Sequence, residues 1–191
     1  MRKKVRTTYL ELGCEDDFRP KAGYQERLEV KEIENDVYLN FILFAGVGLS
    51  WRWQSRLRWT MEQWDEYFSS GRVKTFICFD GPRLIGYYEL EFAENKDAEI
   101  KFIGLFPHYM GSGLGGMLLS HAVDSALVNN ATRIWLHTCT GDADAALGNY
   151  LARGFRVIRV EEDYEDIPGN AEMIHLVSRF FERYLHRFPP R

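Results

Sequence analysis

Ile100-Lys101-Phe102-Ile103-Gly104-Leu105-Phe106-Pro107-His108-Tyr109-Met110-Gly111-Ser112-Gly113-Leu114-Gly115-Gly116-Met117-Leu118-Leu119 is the stretch on which the fold turns. It opens as an apolar run of β-prone residues that Pro107 ends. Four glycines then fall within residues 111–116, and a helical spacing follows at Leu114, Met117, Leu118, His121, Ala122 and Ser125. Strand, glycine loop and helix start together present bare backbone N–H groups to an anion. Glycines let the loop turn tightly and let a phosphate approach the main chain, and the helix N-terminus adds partial positive charge.

Three classes of glycine loop compete for this pattern. A P-loop needs Lys and Ser/Thr directly after its last glycine; Met117 and Leu118 stand there, which argues strongly against a nucleotide triphosphatase. The dinucleotide fingerprint G-x-G-x-x-G is literally present at Gly111, Gly113 and Gly116. It also requires an acidic residue ending the next strand. That strand, residues 133–139, ends without one, and Asp142 comes only after Gly141.

The third class fits best. The run resembles the acetyl-CoA loop of the GNAT superfamily of N-acyltransferases, Gln/Arg-x-x-Gly-x-Gly/Ala, with Gly113-Leu114-Gly115 as its Gly-x-Gly. Met110 stands where that pattern has Gln or Arg, which removes one side-chain donor and leaves the backbone cradle. Asn149-Tyr150-Leu151-Ala152-Arg153-Gly154-Phe155 resembles the family's tyrosine helix, which ends in Gly-Phe before the next strand. Ala98-Glu99-Ile100 resembles the strand that carries a catalytic glutamate in the histone-acetylating branch. The resemblance is good over residues 73–160 and thin outside them.

What the resemblance implies is an α/β fold: a mixed, mostly antiparallel sheet with one splayed parallel pair of strands, at 99–105 and 133–138, and helices on both faces. It implies acetyl-CoA as acyl donor, bound by Ile103, Gly104, Leu105, Met110, Gly111, Ser112, Gly113, Leu114, Gly115, Gly116 and Asn149, with free backbone groups in the splay pairing with the pantetheine amides. Glu99 would be the base toward the amine and Tyr150 the proton donor to the leaving thiolate. One domain is expected over 1–191, its N-acetyltransferase part at 27–178 between an N-terminal extension and a C-terminal tail.

Composition sets the outer bounds. The 191 residues suffice for one domain with a real core. Hydrophobic residues are 46% and charged residues 27%, ordinary for a globular chain. The net charge of −4 gives nucleic-acid binding no electrostatic support. No apolar run is long enough for a membrane span, and residues 5–10 are too polar for a signal-peptide core. Cys14, Cys78 and Cys139 form no spaced pair, so a reducing, cytoplasmic setting is expected. The five histidines have no ligand spacing, and no metal site is expected.

Along the chain, strands are expected at 6–12 and 27–33, then a helix at 37–44 capped by Asn35 or Asp36 and broken by Gly46 and Gly48. Trp51-Arg52-Trp53-Gln54-Ser55-Arg56-Leu57-Arg58-Trp59 packs three tryptophans and three arginines into nine residues. In GNAT proteins this region lines the acceptor site, so Arg52, Trp53 and Arg56 are candidate acceptor contacts; the bland alternative is packing tryptophans and solvated arginines. Thr60 and Gln63 form a capping box for a helix at 61–68. Strands follow at 73–79, 84–92 and 99–105, the second carrying Glu89 and Glu91 on one face. A helix runs to about 128, and Asp142 should cap the helix bearing Tyr150. A strand at 155–160 follows. Residues 173–177 could be strand or helix, and 180–188 look helical.

Acyl transfer to an amine needs a base, oxyanion stabilisation and protonation of the thiolate. Glu99 is the first candidate base, Glu89 and Glu91 the second. His137, on the second splayed strand, could line the pocket, with a place in the core or at the rim as the favoured alternative. An acyl-cysteine route through Cys139 would need an activating base that the local sequence does not show. The function expected is transfer of an acetyl group from acetyl-CoA to a primary amine of a small molecule or peptide, by direct attack in a ternary complex. A non-catalytic acyl-CoA sensor on the same fold is the alternative. No nucleic-acid or membrane partner is expected, and a homodimer is compatible with the chain.

Overall fold

The computed structural model describes residues 2–13 and 15–187; Cys14 and Phe188 lie outside them. The chain runs β1 (Arg2–Leu12), a helical turn α1 (Tyr24–Arg27), β2 (Leu28–Ile33), α2 (Val37–Gly48) and α3 (Met61–Ser69). It continues β3 (Val73–Asp80), β4 (Arg83–Phe92), β5 (Asp97–Leu105), α4 (Leu114–Val128), β6 (Arg133–Cys139), α5 (Ala145–Ala152), β7 (Arg156–Asp166) and α6 (Asn170–Arg187).

All seven strands form one sheet in the order β2-β3-β4-β5-β6-β1-β7. Every neighbouring pair is antiparallel except β5 and β6. That is the mixed, mostly antiparallel sheet expected. The N-terminal strand β1 lies inside it, antiparallel to both β6 and β7. One face of the sheet packs on α4, through Leu10, Ile100, Leu118, Leu119 and Ala122. The other carries α2, α3 and α6, whose Phe41, Trp64 and Phe180 form an aromatic cluster. Phe41 and Phe180 stack face to face at 3.4 Å between centroids. No described helix is long and apolar enough to cross a membrane.

Local chemistry explains the element ends. Asp36 caps α2, its Oδ1 accepting from the Leu39 N–H at 2.7 Å. Thr60 and Gln63 exchange both bonds of the capping box that starts α3. Gly46 and Gly48 do not break α2, contrary to the sequence expectation. A Cβ on Gly46 would sit 2.7 Å from the Phe106 ring and one on Gly48 2.5 Å from Trp53. The two glycines admit aromatic neighbours against a continuous helix. Asp142 is not the cap of α5 either: the helix starts at Ala145, with Asp144 at its N-cap position making no side-chain cap bond. The Asp142 carboxylate has stronger partners, described below. The strand expected at 155–160 runs on to Asp166, because β1 offers it ten paired positions. Residues 173–177 are helical, inside α6, and bury Met173 and Leu176.

Candidate active site

The parallel strands β5 and β6 pair only at Asp97↔Arg133, Ala98↔Ile134 and Glu99↔Trp135. Beyond Glu99 they diverge. β5 stays paired to β4 as far as Gly86↔Leu105, and β6 stays paired to β1 as far as Thr7↔Cys139. Each strand is thus held from its outer side while the inner edges part. A cleft of about 1040 Å³ fills the gap, lined by residues 100–105 of β5 and by Leu136, His137 and Cys139 of β6. A β-bulge marks the vertex: Ile100 faces Leu90 and Phe102 faces Glu89, leaving Lys101 as the extra residue.

The glycine loop closes one end of the cleft. Gly111 and Gly113 have φ of 76° and 80°, the left-handed region that glycine enters without strain. A Cβ built on either meets nothing within 4 Å, so the loop presents open main chain. Gly113 caps α4 without any side-chain bond to the first N–H groups of the helix, which leaves them for a ligand. Met110, Gly115, Gly116, Asn149 and Tyr150 also line the cleft. Asn149 donates from Nδ2 to the Gly115 carbonyl at 3.3 Å, tying α5 to the start of α4.

Arg153, which the sequence reading passed over, lines the same end. A Cβ on Gly116 would lie 2.4 Å from its Nη1, so the guanidinium lies directly over the helix N-terminus. Its Nε is buried and has no hydrogen-bond partner among the described residues. The signal was present: Arg153 follows Asn149 by four residues, the spacing of one helix face. Met110 and Arg153 line the same cleft. Gly154 then turns the chain at φ 98°, where a Cβ would fall 1.9 Å from the Asp17 carbonyl oxygen, so only glycine fits.

Tyr150 is buried beside the cleft. Burial, with the Asp142 charge adding to it, pushes its phenol well above the ordinary value. It therefore stays protonated at any physiological pH. Asp142 organises the opposite lip. Its Oδ2 accepts from the Thr138 hydroxyl at 2.7 Å and the Cys139 N–H at 2.9 Å, and its Oδ1 from the Trp53 indole at 3.2 Å.

Of the arginine–tryptophan segment, Trp53 and Arg52 line the cleft. Arg52 donates to the Pro168 carbonyl and so fixes the turn between β7 and α6. Arg56 goes elsewhere. It is 2% exposed and forms a bidentate pair with Glu89, itself 1% exposed, at 2.7 and 2.5 Å. Tyr67 also donates to Glu89, at 2.8 Å, and the rings of Trp59, Tyr67 and Phe102 lie within 5 Å of the guanidinium carbon. Burial opposes the charge on Arg56, but Glu89 outweighs it and holds the guanidinium above its ordinary value. Neither residue lines the cleft.

Glu99 sits at the vertex, 7% exposed. Its Oε2 accepts from Lys101 Nζ at 2.9 Å, and its Oε1 lies 3.5 Å from His137 Nδ1. Burial raises its pKa, and the bonds to His137 and Lys101 lower it by more, leaving it below the ordinary carboxylate value. Glu99 does not line the large cleft; it borders a smaller one, of about 150 Å³, with Glu91 and Lys101. His137 does line the large cleft, with 43% of its side chain exposed.

Residues 28–155 match the family model of the acetyltransferase (GNAT) family. The chain belongs to that family. Solved GNAT structures share its fold. A Bacillus subtilis acetyltransferase in complex with CoA is 22% identical with a TM-score of 0.54, over 70% of this chain and 79% of that one. An IAA acetyltransferase from Bacillus cereus is 23% identical with a TM-score of 0.51, over 69% and 79%. A GCN5-related N-acetyltransferase from Kribbella flavida is 16% identical with a TM-score of 0.58, over 90% of this chain and 62% of its own. The chain likewise spans 62% of a similar Staphylococcus epidermidis protein of unknown function, so it covers less than two thirds of some of these GNAT-fold relatives. No curated protein matches it in sequence.

Proposed function

We propose that this GNAT chain transfers an acetyl group from acetyl-CoA to a primary amine of a small molecule or peptide, by direct attack with both substrates bound. The observation that carries the proposal is the cleft itself. It runs unbroken from a bare glycine cradle, through two parted strands, to a protonated tyrosine.

The loop at 111–116 and the start of α4 would hold the pyrophosphate by backbone N–H groups. Arg153 would add the positive charge that Met110 lacks. Residues 100–105 have no strand partner on the β6 side and can bond the amides of the pantetheine arm. When bound, the donor supplies a thioester carbonyl open to attack by an amine. Tyr150 would hold its proton for the departing sulfur. A phenol with a raised pKa is a weak acid, so its contribution is a donated hydrogen bond that completes transfer only as negative charge gathers on sulfur. Glu99, at the vertex, would serve the deprotonation of the amine, directly or through a group between them. Trp53 and Arg52 shape the acceptor side. The CoA held by the Bacillus subtilis acetyltransferase supports this reading of the donor.

The test is a screen of amines with acetyl-CoA, reading released thiol. The proposal expects amine-dependent release for at least one class of acceptor. Tight acetyl-CoA binding with no release on any amine would favour the sensing module instead.

A further inference from the structure

We propose that His137 takes the proton from the acceptor amine and that Glu99 is the positioning residue behind it; the proposal rests on the acyltransferase reading above. Three observations converge. Glu99 is nearly closed off, and its carboxylate does not line the large cleft. His137 does line that cleft and is substantially exposed to it. Nδ1 of the imidazole lies 3.5 Å from Oε1 of Glu99, while Lys101 fixes the other carboxylate oxygen at 2.9 Å.

A buried carboxylate beside one imidazole nitrogen sets the tautomer: Nδ1 carries the hydrogen and points it at Glu99, which leaves the Nε2 lone pair to accept a proton. The carboxylate then stabilises the imidazolium that forms. Lys101 keeps Glu99 ionised and in place, from the bulge that gives it an extra residue of reach. Facing the imidazole are Glu99 from β5, itself paired with Lys101, and Tyr9 from β1, whose ring centroid is 5.7 Å away. Arg159 of β7 lies over the Tyr9 ring at 3.9 Å.

In the transfer, the amine lone pair forms the new C–N bond and the C–S bond breaks with its electron pair leaving on sulfur. The nitrogen proton passes to His137 Nε2, and the sulfur receives a proton from Tyr150. Solvent exchange then returns one proton from His137 and restores one to Tyr150, so the balance closes without a further reactant.

Two measurements test this, on the wild type, His137→Gln and Glu99→Gln. The first reads the His137 tautomer from its imidazole ¹⁵N resonances at alkaline pH, with His137→Gln identifying the signals. Wild type should hold the hydrogen on Nδ1 beside Glu99, and Glu99→Gln should shift it toward Nε2; an unchanged tautomer overturns the pairing. The second is the pH–rate profile with an acceptor found in the screen. His137→Gln should lose roughly 10²–10⁴-fold in kcat at neutral pH, with acetyl-CoA affinity by calorimetry unchanged and the loss shrinking as pH rises. Glu99→Gln should lose less in kcat, again with acetyl-CoA affinity unchanged. Near-wild-type turnover in His137→Gln beside a crippled Glu99→Gln would make Glu99 the direct base and overturn the proposal. Failure of the acyltransferase reading shows separately, as a wild type that releases no thiol with any amine.

Discussion

Arg52 and Arg56 stand four residues apart in one tryptophan-rich segment and have unrelated roles. Arg56 is enclosed with Glu89, so Arg56→Ala leaves a carboxylate buried and uncompensated. Such a loss costs about 3–5 kcal/mol, or roughly 6–20 °C in Tm for a chain of this size. Thermal unfolding checks it, and a shift below about 2 °C would show that solvent reaches the pair. Arg52→Ala frees the turn at Pro168 instead. It should raise the acceptor KM and leave the acetyl-CoA KM nearly fixed; equal effects on both would remove Arg52 from the acceptor side. Glu99 has its own signature. Its carboxylate is held below the ordinary value, so it stabilises the folded state above the unfolded pKa of about 4.3. That contribution disappears as pH falls through the lowered folded value. Wild type should therefore lose its stability advantage over Glu99→Gln below about pH 4, and a difference independent of pH would contradict the ion pairing. Glu99 and Tyr150 could be singled out in the sequence because each stands at a set offset from a motif glycine, Gly113 and Gly154, while their roles are proposals. The burial of Arg56 and Glu89 was not legible, since it depends on Arg56 and Phe102 meeting across 46 residues of chain.

At the level of elements, the strand–loop–helix unit was the most legible part of the molecule. Its signals are local: Pro107 stops the strand, glycines at positive φ shape the loop, and the apolar spacing of α4 fits one face of the sheet. The end of α5 was read from Gly154 for the same reason. Its start was misplaced because Asp142 has a choice of partners, and Thr138, the Cys139 N–H and Trp53 together outcompete a helix cap. The function of the loop rests on Arg153 as well as on glycine. Arg153→Ala should weaken acetyl-CoA binding by about 1.5–3 kcal/mol, the range for a bond to a charged group, without a comparable change in acceptor KM. Met110→Arg in the same background should recover part of it. Unchanged affinity in Arg153→Ala would mean that the backbone cradle alone holds the anion.

The whole molecule depends on a contact that no local pattern announces. β1, the first strand, separates β6 from β7 and pairs with residues up to 164 positions away, as at Arg2↔Asp166. Alternation identified a strand near residues 6–12 but could not say which neighbours it would take, because its partners are chosen by the shape of the completed sheet. Removal of residues 2–12 should leave β7 unpaired and expose β6, so the truncated chain should lose its cooperative thermal transition; retention of that transition would show that the rest of the sheet folds alone. The central claim, that the parted strands and glycine cradle form an acyl-CoA site, is tested most directly by thermal unfolding with ligand. Acetyl-CoA at 100 times its Kd should stabilise wild type by about 2.7 kcal/mol, or roughly 5–10 °C in Tm, and NADH at the same concentration should not. Gly113→Asp should fold, because its Cβ has open space and Asp tolerates the left-handed region better than most residues, yet show no acetyl-CoA shift. A shift with NADH and none with acetyl-CoA would contradict the account.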